Sequence, residues 1–160
     1  MIGFVTYEPS PIGLLKITGS DDGVDSILFT ETMDVSLFAD HPLAIESRTE
    51  LREYFHGERT DFTIPLSPQG TMFQQMVWNE LVKIPFGKKR TYNDIANAVG
   101  SAKMIRAVGS ANARNPIAIV IPCHRVIGTD GSLTGYAGGL WRKEWLLEHE
   151  ASKYSPQLFG

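Results

Sequence analysis

The chain has 160 residues, 42% of them hydrophobic, enough for one good core or two small ones. Its single cysteine excludes an internal disulfide and a Cys-rich zinc site, no apolar run is long enough to span a bilayer, and Met1-Ile2-Gly3-Phe4 lacks the form of a secretory signal. The formal net charge of −3 hides an asymmetry: residues 1–68 hold 4 Lys/Arg against 12 Asp/Glu, and residues 69–160 hold 11 against 6, so a basic half that could meet a polyanion follows an acidic one.

Residues 4–9, 13–20 and 23–30 read as short strands. Pro9-Ser10-Pro11 and Ser20-Asp21-Asp22-Gly23 separate them, and Asp-Gly is a hairpin signal. A helix is expected over 42–55, with Gly57 as its stop, and a returning strand over 61–66. Residues 1–68 thus form a small α/β domain. Composition changes at Ser67-Pro68-Gln69-Gly70, where residues 69–160 begin a second domain.

Residues 71–83 carry Phe73, Met76, Val77 and Leu81 at helical spacing, and Pro85-Phe86-Gly87 ends that helix. Two helices follow, 92–99 and 102–113, joined at Gly100-Ser101, with Thr91 as the N-cap of the first. Helix, short glycine turn, helix is the form of a helix-turn-helix. The second helix is built of small residues, among them Ala107, Gly109 and Ser110. Small residues serve tight helix packing in a core as well as close approach to a partner. Lys88, Lys89, Arg90, Lys103, Arg106 and Arg114 surround the unit, the footprint expected of phosphate contacts.

A short apolar strand over 117–121 leads to Cys123 in Ile121-Pro122-Cys123-His124-Arg125-Val126. The thiol is either an inert buried group or a reactive thiolate. His124 and Arg125 favour the second, because a titratable base and a fixed positive charge lower a thiol pKa. A free cysteine also fits a reducing cytosol, so the chain is expected in the cytoplasm. Residues 128–131 form a turn. The glycine-rich loop 135–139 lacks the strand and helix of a dinucleotide site. A last helix is expected over 141–150, and residues 155–160 read as a frayed tail.

Phe73-Gln74-Gln75-Met76-Val77-Trp78, Thr91-Tyr92, Arg106-Ala107-Val108-Gly109, Asn115-Pro116, the cysteine motif, Gly135-Tyr136 and Lys143-Glu144-Trp145-Leu146-Leu147 occur in this order. Together they resemble the O6-alkylguanine-DNA alkyltransferases over most of residues 70–150. The resemblance implies an α/β N-terminal domain followed by a mainly α, winged-helix-like helix-turn-helix domain that carries the cysteine. It implies binding of duplex DNA through the minor groove, flipping of an O6-alkylguanine, and irreversible transfer of the alkyl group to Cys123. His124 would act as base through a water, oriented by Glu150. Tyr92 would help rotate the nucleotide and protonate the guanine. Asn115 would fix the cysteine turn. Arg106 would fill the gap in the stack, with Ala107, Gly109, Ser110, Lys103, Arg114 and Arg125 as further DNA contacts. Tyr136, Ala137, Gly138 and Val126 would line the substrate pocket. No cofactor is implied, and the chain would act as a monomer, with cooperative binding along DNA left open.

Some positions depart from the pattern. Ala137 stands where many members carry Ser, and Asn112 and Ala118 stand where some carry apolar residues or proline. Some members bind zinc in the N-terminal domain. That domain has no cysteine here and only His41 and His56, so no metal is expected. A cysteine hydrolase, a lesion-sensing DNA-binding module without transfer, and a helix-turn-helix regulator are the competing readings.

Overall fold

A computed structural model describes residues 3–35 and 40–154. The expected tail at 155–160 lies outside the described residues. The chain forms two compact units, residues 1–69 with 116–118, and residues 70–115 with 119–160. No helix among the described residues is long and apolar enough to cross a membrane.

The first unit is an antiparallel meander of β1 (Gly3–Ser10), β2 (Gly13–Ser20) and β3 (Gly23–Thr30), with α1 (Pro42–Phe55) packed on it. Its core includes Phe4, Tyr7, Leu15, Ile17, Ile27, Leu51 and Tyr54. His41 caps α1: its Nδ1 accepts from the Leu43 amide at 3.1 Å, and Pro42 supplies the fixed φ of a first helical residue.

Two expected strands do not form, for local reasons. Over 61–66 only Leu66 bridges β3, at Val24. The Glu50 carboxylate takes the amides of Thr63 and Ile64 at 2.8 and 3.3 Å, and Pro65 has no amide to give. Over 117–121 only Ile117 bridges β3, at Ile27, through bonds at Pro116 and Ala118. The chain leaves that pairing at Ile119, whose φ is +74°. The 116–118 segment therefore joins the first unit, which a boundary at residue 68 does not anticipate.

The second unit contains α2 (Met72–Val82), α3 (Tyr92–Val99), α4 (Ile105–Ala113) and α5 (Leu140–Tyr154). Capping boxes start α2 and α3: Thr71 pairs with Gln74, and Thr91 with Asp94. The expected helix 102–113 is divided. Ser101 caps a 3-10 turn over Ala102–Met104, and α4 begins only at Ile105. Helices α2, α3 and α4 pack on one another through Val77, Trp78, Leu81, Ile95, Ala96, Val108 and Ala111. The Trp78 indole donates to the Ala111 carbonyl at 2.9 Å and ties α2 to α4. Two-residue strands β4 (Arg90–Thr91) and β5 (Val126–Ile127) pair in parallel, directly before α3 and after the cysteine turn.

Candidate functional site

Cys123 opens a 3-10 turn over Cys123–Arg125. Pro122 sits at φ −81°, ψ 62°, and the Cys123 amide donates to the Ile121 carbonyl at 2.8 Å. This is an inverse γ-turn, and proline suits its centre. The Asn115 Nδ2 donates to the same carbonyl at 2.8 Å. Both lone pairs of one oxygen thus hold the turn, one from each side. Ile119 lies four residues before the cysteine, buried, β-branched and left-handed. That conformation is strained for such a residue and marks a segment held by its surroundings.

Glu150, 1% exposed, collects three side-chain hydrogen bonds. Arg125 donates from Nε at 2.8 Å and from a terminal nitrogen at 2.9 Å, and His124 Nε2 lies 2.8 Å from the carboxylate. A third Arg125 bond, at 2.6 Å, reaches the Ile84 carbonyl. Burial pushes the Glu150 carboxyl up, but the hydrogen bonds and charges of His124 and Arg125 outweigh it and hold Glu150 well below the carboxylate range. Arg125 was expected at the DNA surface. It is 6% exposed with its donors engaged inside, so that expectation is corrected.

His124 is fully buried, and burial holds its pKa below the usual value against the pull of Glu150. An ionised Glu150 makes Nε2 the protonated nitrogen, which leaves Nδ1 as the basic one. Unfolding must therefore take up a proton below the ordinary histidine value of about 6.5. Stability from this group is complete above about pH 6.5 and declines as pH falls below it. Thermal melts should show a decline from pH 6.5 to 5 that a His124→Asn variant flattens. An unchanged slope in that variant would contradict a neutral buried ring.

The thiol differs from its sequence expectation. Burial pushes the Cys123 pKa up, opposed by a hydrogen bond from Asn115 and by the charge of Lys143. The two charged neighbours in sequence do not depress it, because His124 is neutral and Arg125 is committed to Glu150. The cation that matters is Lys143, which is itself buried. Its Nζ donates to the carbonyls of Thr134 and Gly135 at 2.7 and 3.3 Å, and burial lowers its pKa to about 8. Lys143 thereby pins the loop before Tyr136 while it faces the thiol. It shares one stripe of α5 with Leu146 and Glu150, at i, i+3 and i+7, which is the sequence signal that marks it.

Tyr92, the first residue of α3, stands across from Lys143, whose Nζ is 5.8 Å from the ring centre. Burial raises the phenol pKa of Tyr92 and, more strongly, that of Tyr136, and a thiolate at Cys123 would raise both further. Both phenols are thus within electrostatic reach of the sulfur. Three buried side-chain polar atoms among the described residues lack a hydrogen-bond partner: Asn112 Oδ1, His124 Nδ1 and the Tyr136 hydroxyl. Such atoms are rare in native interiors. Here they belong to the cysteine's neighbour, to a phenol facing it, and to an amide beside Tyr92. Of the other expected pocket residues, Val126 has its side chain in the core, Gly138 accepts from Arg142 at 2.9 Å, and Ala137 is exposed.

Helix α4 divides cleanly. Val108, Ala111 and Asn112 are buried, whereas Arg106, Ala107, Ser110 and Arg114 are exposed, as is Lys103 before the helix. A Cβ built on Gly109 would meet nothing within 4 Å, so packing does not require glycine there. The slim exposed face is then open to close approach by a partner.

Residues 72–152 match the DNA-binding domain of the 6-O-methylguanine DNA methyltransferases, and residues 4–68 match their ribonuclease-like domain. A methylated-DNA–protein-cysteine methyltransferase of Methanosarcina acetivorans is 46% identical over 148 residues, covering 89% of this chain and 95% of its own. A crystal structure of O6-methylguanine methyltransferase from Mycobacterium tuberculosis superposes with a TM-score of 0.85 at 41% identity, covering 99% of this chain and 100% of its own. A structure of OGT from the same organism in complex with DNA gives 0.83 at 42% identity, over 94% and 93% of the two chains.

Proposed function

The chain belongs to the 6-O-methylguanine DNA methyltransferase family, and from this premise we propose that it repairs duplex DNA by taking the alkyl group of O6-alkylguanine onto Cys123, once per molecule. The observation that carries the assignment is the set of unpartnered polar atoms around the chain's one cysteine. Unsatisfied polar atoms in a native interior mark a catalytic role or a missing ligand.

The exposed face of α4 enters the minor groove, with Arg106, Lys103 and Arg114 supplying positive charge and Ala107, Gly109 and Ser110 keeping the helix slim. The damaged nucleotide turns out of the stack, since its alkyl carbon is out of reach inside it. Arg106 occupies the space left behind. The base enters beside Tyr136, with the backbone near Cys123, Val126, Ala137 and Gly138 reading its edge.

His124 Nδ1 takes the thiol proton, through a water, and the imidazolium that forms is stabilised by Glu150. The sulfur lone pair attacks the alkyl carbon, and the carbon–O6 bond breaks towards the purine. Tyr92 gives its proton to the base as guanine reforms, and the phenolate regains one from the imidazolium through solvent. The net change is one S–C bond formed, one C–O bond broken and the thiol proton moved to guanine. No group restores the thiol, so each molecule reacts once. A nucleophilic thiol suits a reducing compartment, which supports a cytoplasmic reading.

Arg106→Ala tests the DNA half of this account. Transfer from a methylated duplex should fall by about 10²-fold, in line with the few kcal/mol of unstacking that flipping must offset, while reaction with free O6-benzylguanine stays within about twofold. Equal losses on both substrates would contradict a role in extrusion.

A further inference from the structure

Asn112 is an unexpected residue for its position. It lies on the inner face of α4 beside Val108 and Ala111, 4% exposed. A buried amide in apolar company is destabilising unless both halves are hydrogen-bonded. Here only one half is. Nδ2 donates to the Tyr92 phenol oxygen at 3.5 Å, and Oδ1 has no partner. Leucine would fill the same space without that penalty. A residue that gives up stability inside a reaction site has a task there.

The Tyr92 phenol has a second side-chain partner in the Thr134 hydroxyl, which is able to donate to the phenol oxygen. Thr134 is held in turn by Lys143, which binds its carbonyl at 2.7 Å. A phenol oxygen that accepts from two protein groups has its own single proton left to donate elsewhere.

We propose that Asn112 is a positioning residue for Tyr92: with Thr134 as second donor, its amide turns the phenol proton away from the protein and towards the base. This rests on Tyr92 being the group that protonates the departing guanine. As the carbon–O6 bond breaks, the electron pair moves into the purine, the phenol O–H bond breaks, and a new N–H bond forms on the ring. The negative charge then sits on the phenol oxygen, where the Asn112 N–H and the Thr134 O–H both face it. The same two donors oppose the burial that otherwise raises the Tyr92 pKa. The pair thus orients the proton before transfer and stabilises the phenolate after it. Methylated substrate gains the most, because its small alkyl group offers no binding energy of its own to align the base.

A double-mutant cycle on single-turnover transfer from O6-methylguanine duplex decides the matter. Asn112→Leu should slow the saturated rate about tenfold, the value of one hydrogen bond that tightens as charge develops on the phenol oxygen. It should leave the half-saturating DNA concentration within about twofold, and the melting temperature should hold or rise. Thr134→Val, at an exposed site that perturbs no packing, should slow the same step about threefold. In a Tyr92→Phe background neither substitution should matter further, because the oxygen they serve is gone. Tyr92→Phe with an unchanged rate would remove the reading on which the inference rests. A slow Tyr92→Phe in which Asn112→Leu and Thr134→Val still give their full losses would overturn the positioning role itself. Should Asn112→Leu fail to fold, Thr134→Val carries the same test alone.

Discussion

Cys123→Ala is expected to abolish alkyl transfer and to leave duplex affinity within about twofold of the parent chain. Cys123 is the chain's one thiol, and the face proposed to meet DNA lies elsewhere, on the exposed side of α4. The turn itself does not depend on the thiol. It is held by backbone and by Asn115, both acting on the Ile121 carbonyl. Anisotropy of a labelled duplex gives the affinity, and retention of the methyl group on the DNA gives the loss of reaction. A variant that still clears the lesion would place the nucleophile elsewhere. A variant that no longer binds would show that the thiol shapes the DNA-facing surface.

Glu150 has the largest expected effect on stability. Its carboxylate is the shared acceptor of Arg125 and His124, all three nearly inaccessible to solvent. Glu150→Ala leaves a buried guanidinium without its counter-charge, a change worth about 3–5 kcal/mol when one partner of a buried pair is removed. Denaturant midpoints should fall accordingly. Glu150→Gln separates chemistry from stability. Its amide can offer an N–H to His124 Nε2, and that moves the ring proton to Nδ1, the nitrogen proposed to accept from the thiol. The folded variant should therefore lose about 10²-fold or more in single-turnover rate, as expected when a relay histidine is held in the wrong tautomer. Glu150→Gln reacting at the parent rate would show that His124 is not the base.

Much of this was legible in the sequence, and the failures have physical causes. The meander, α1, α2 and α3 follow from the Asp22-Gly23 turn, helical spacing and the Thr91 cap, which are local signals. The strands expected at 61–66 and 117–121 looked equally apolar, but pairing is a matter of where amides go. Glu50 takes two of them in the first case, and Ile119 turns the backbone in the second. The cysteine motif singled out the thiol, yet adjacency in sequence misled about its electrostatics. Arg125 points into the protein to meet a carboxylate 25 residues away. Lys143, 20 residues after the thiol, supplies the charge that Arg125 was expected to give. Its place on the Leu146–Glu150 stripe of α5 was readable, but a lysine within an apolar stripe is easily taken for a solvated residue. Asn112 carried no signal beyond its departure from apolar relatives, because its significance lies in an unpaired amide half that only packing reveals.

The central claim is that a single alkyl group moves from guanine to Cys123. Intact-protein and peptide mass spectrometry after mixing with a duplex that contains one O6-methylguanine tests it directly. A gain of one methyl group is expected, confined to the Cys123 peptide, saturating at one per protein and absent from Cys123→Ala. A protein that binds the lesion tightly and gains no mass, or gains it on any other peptide, would contradict it.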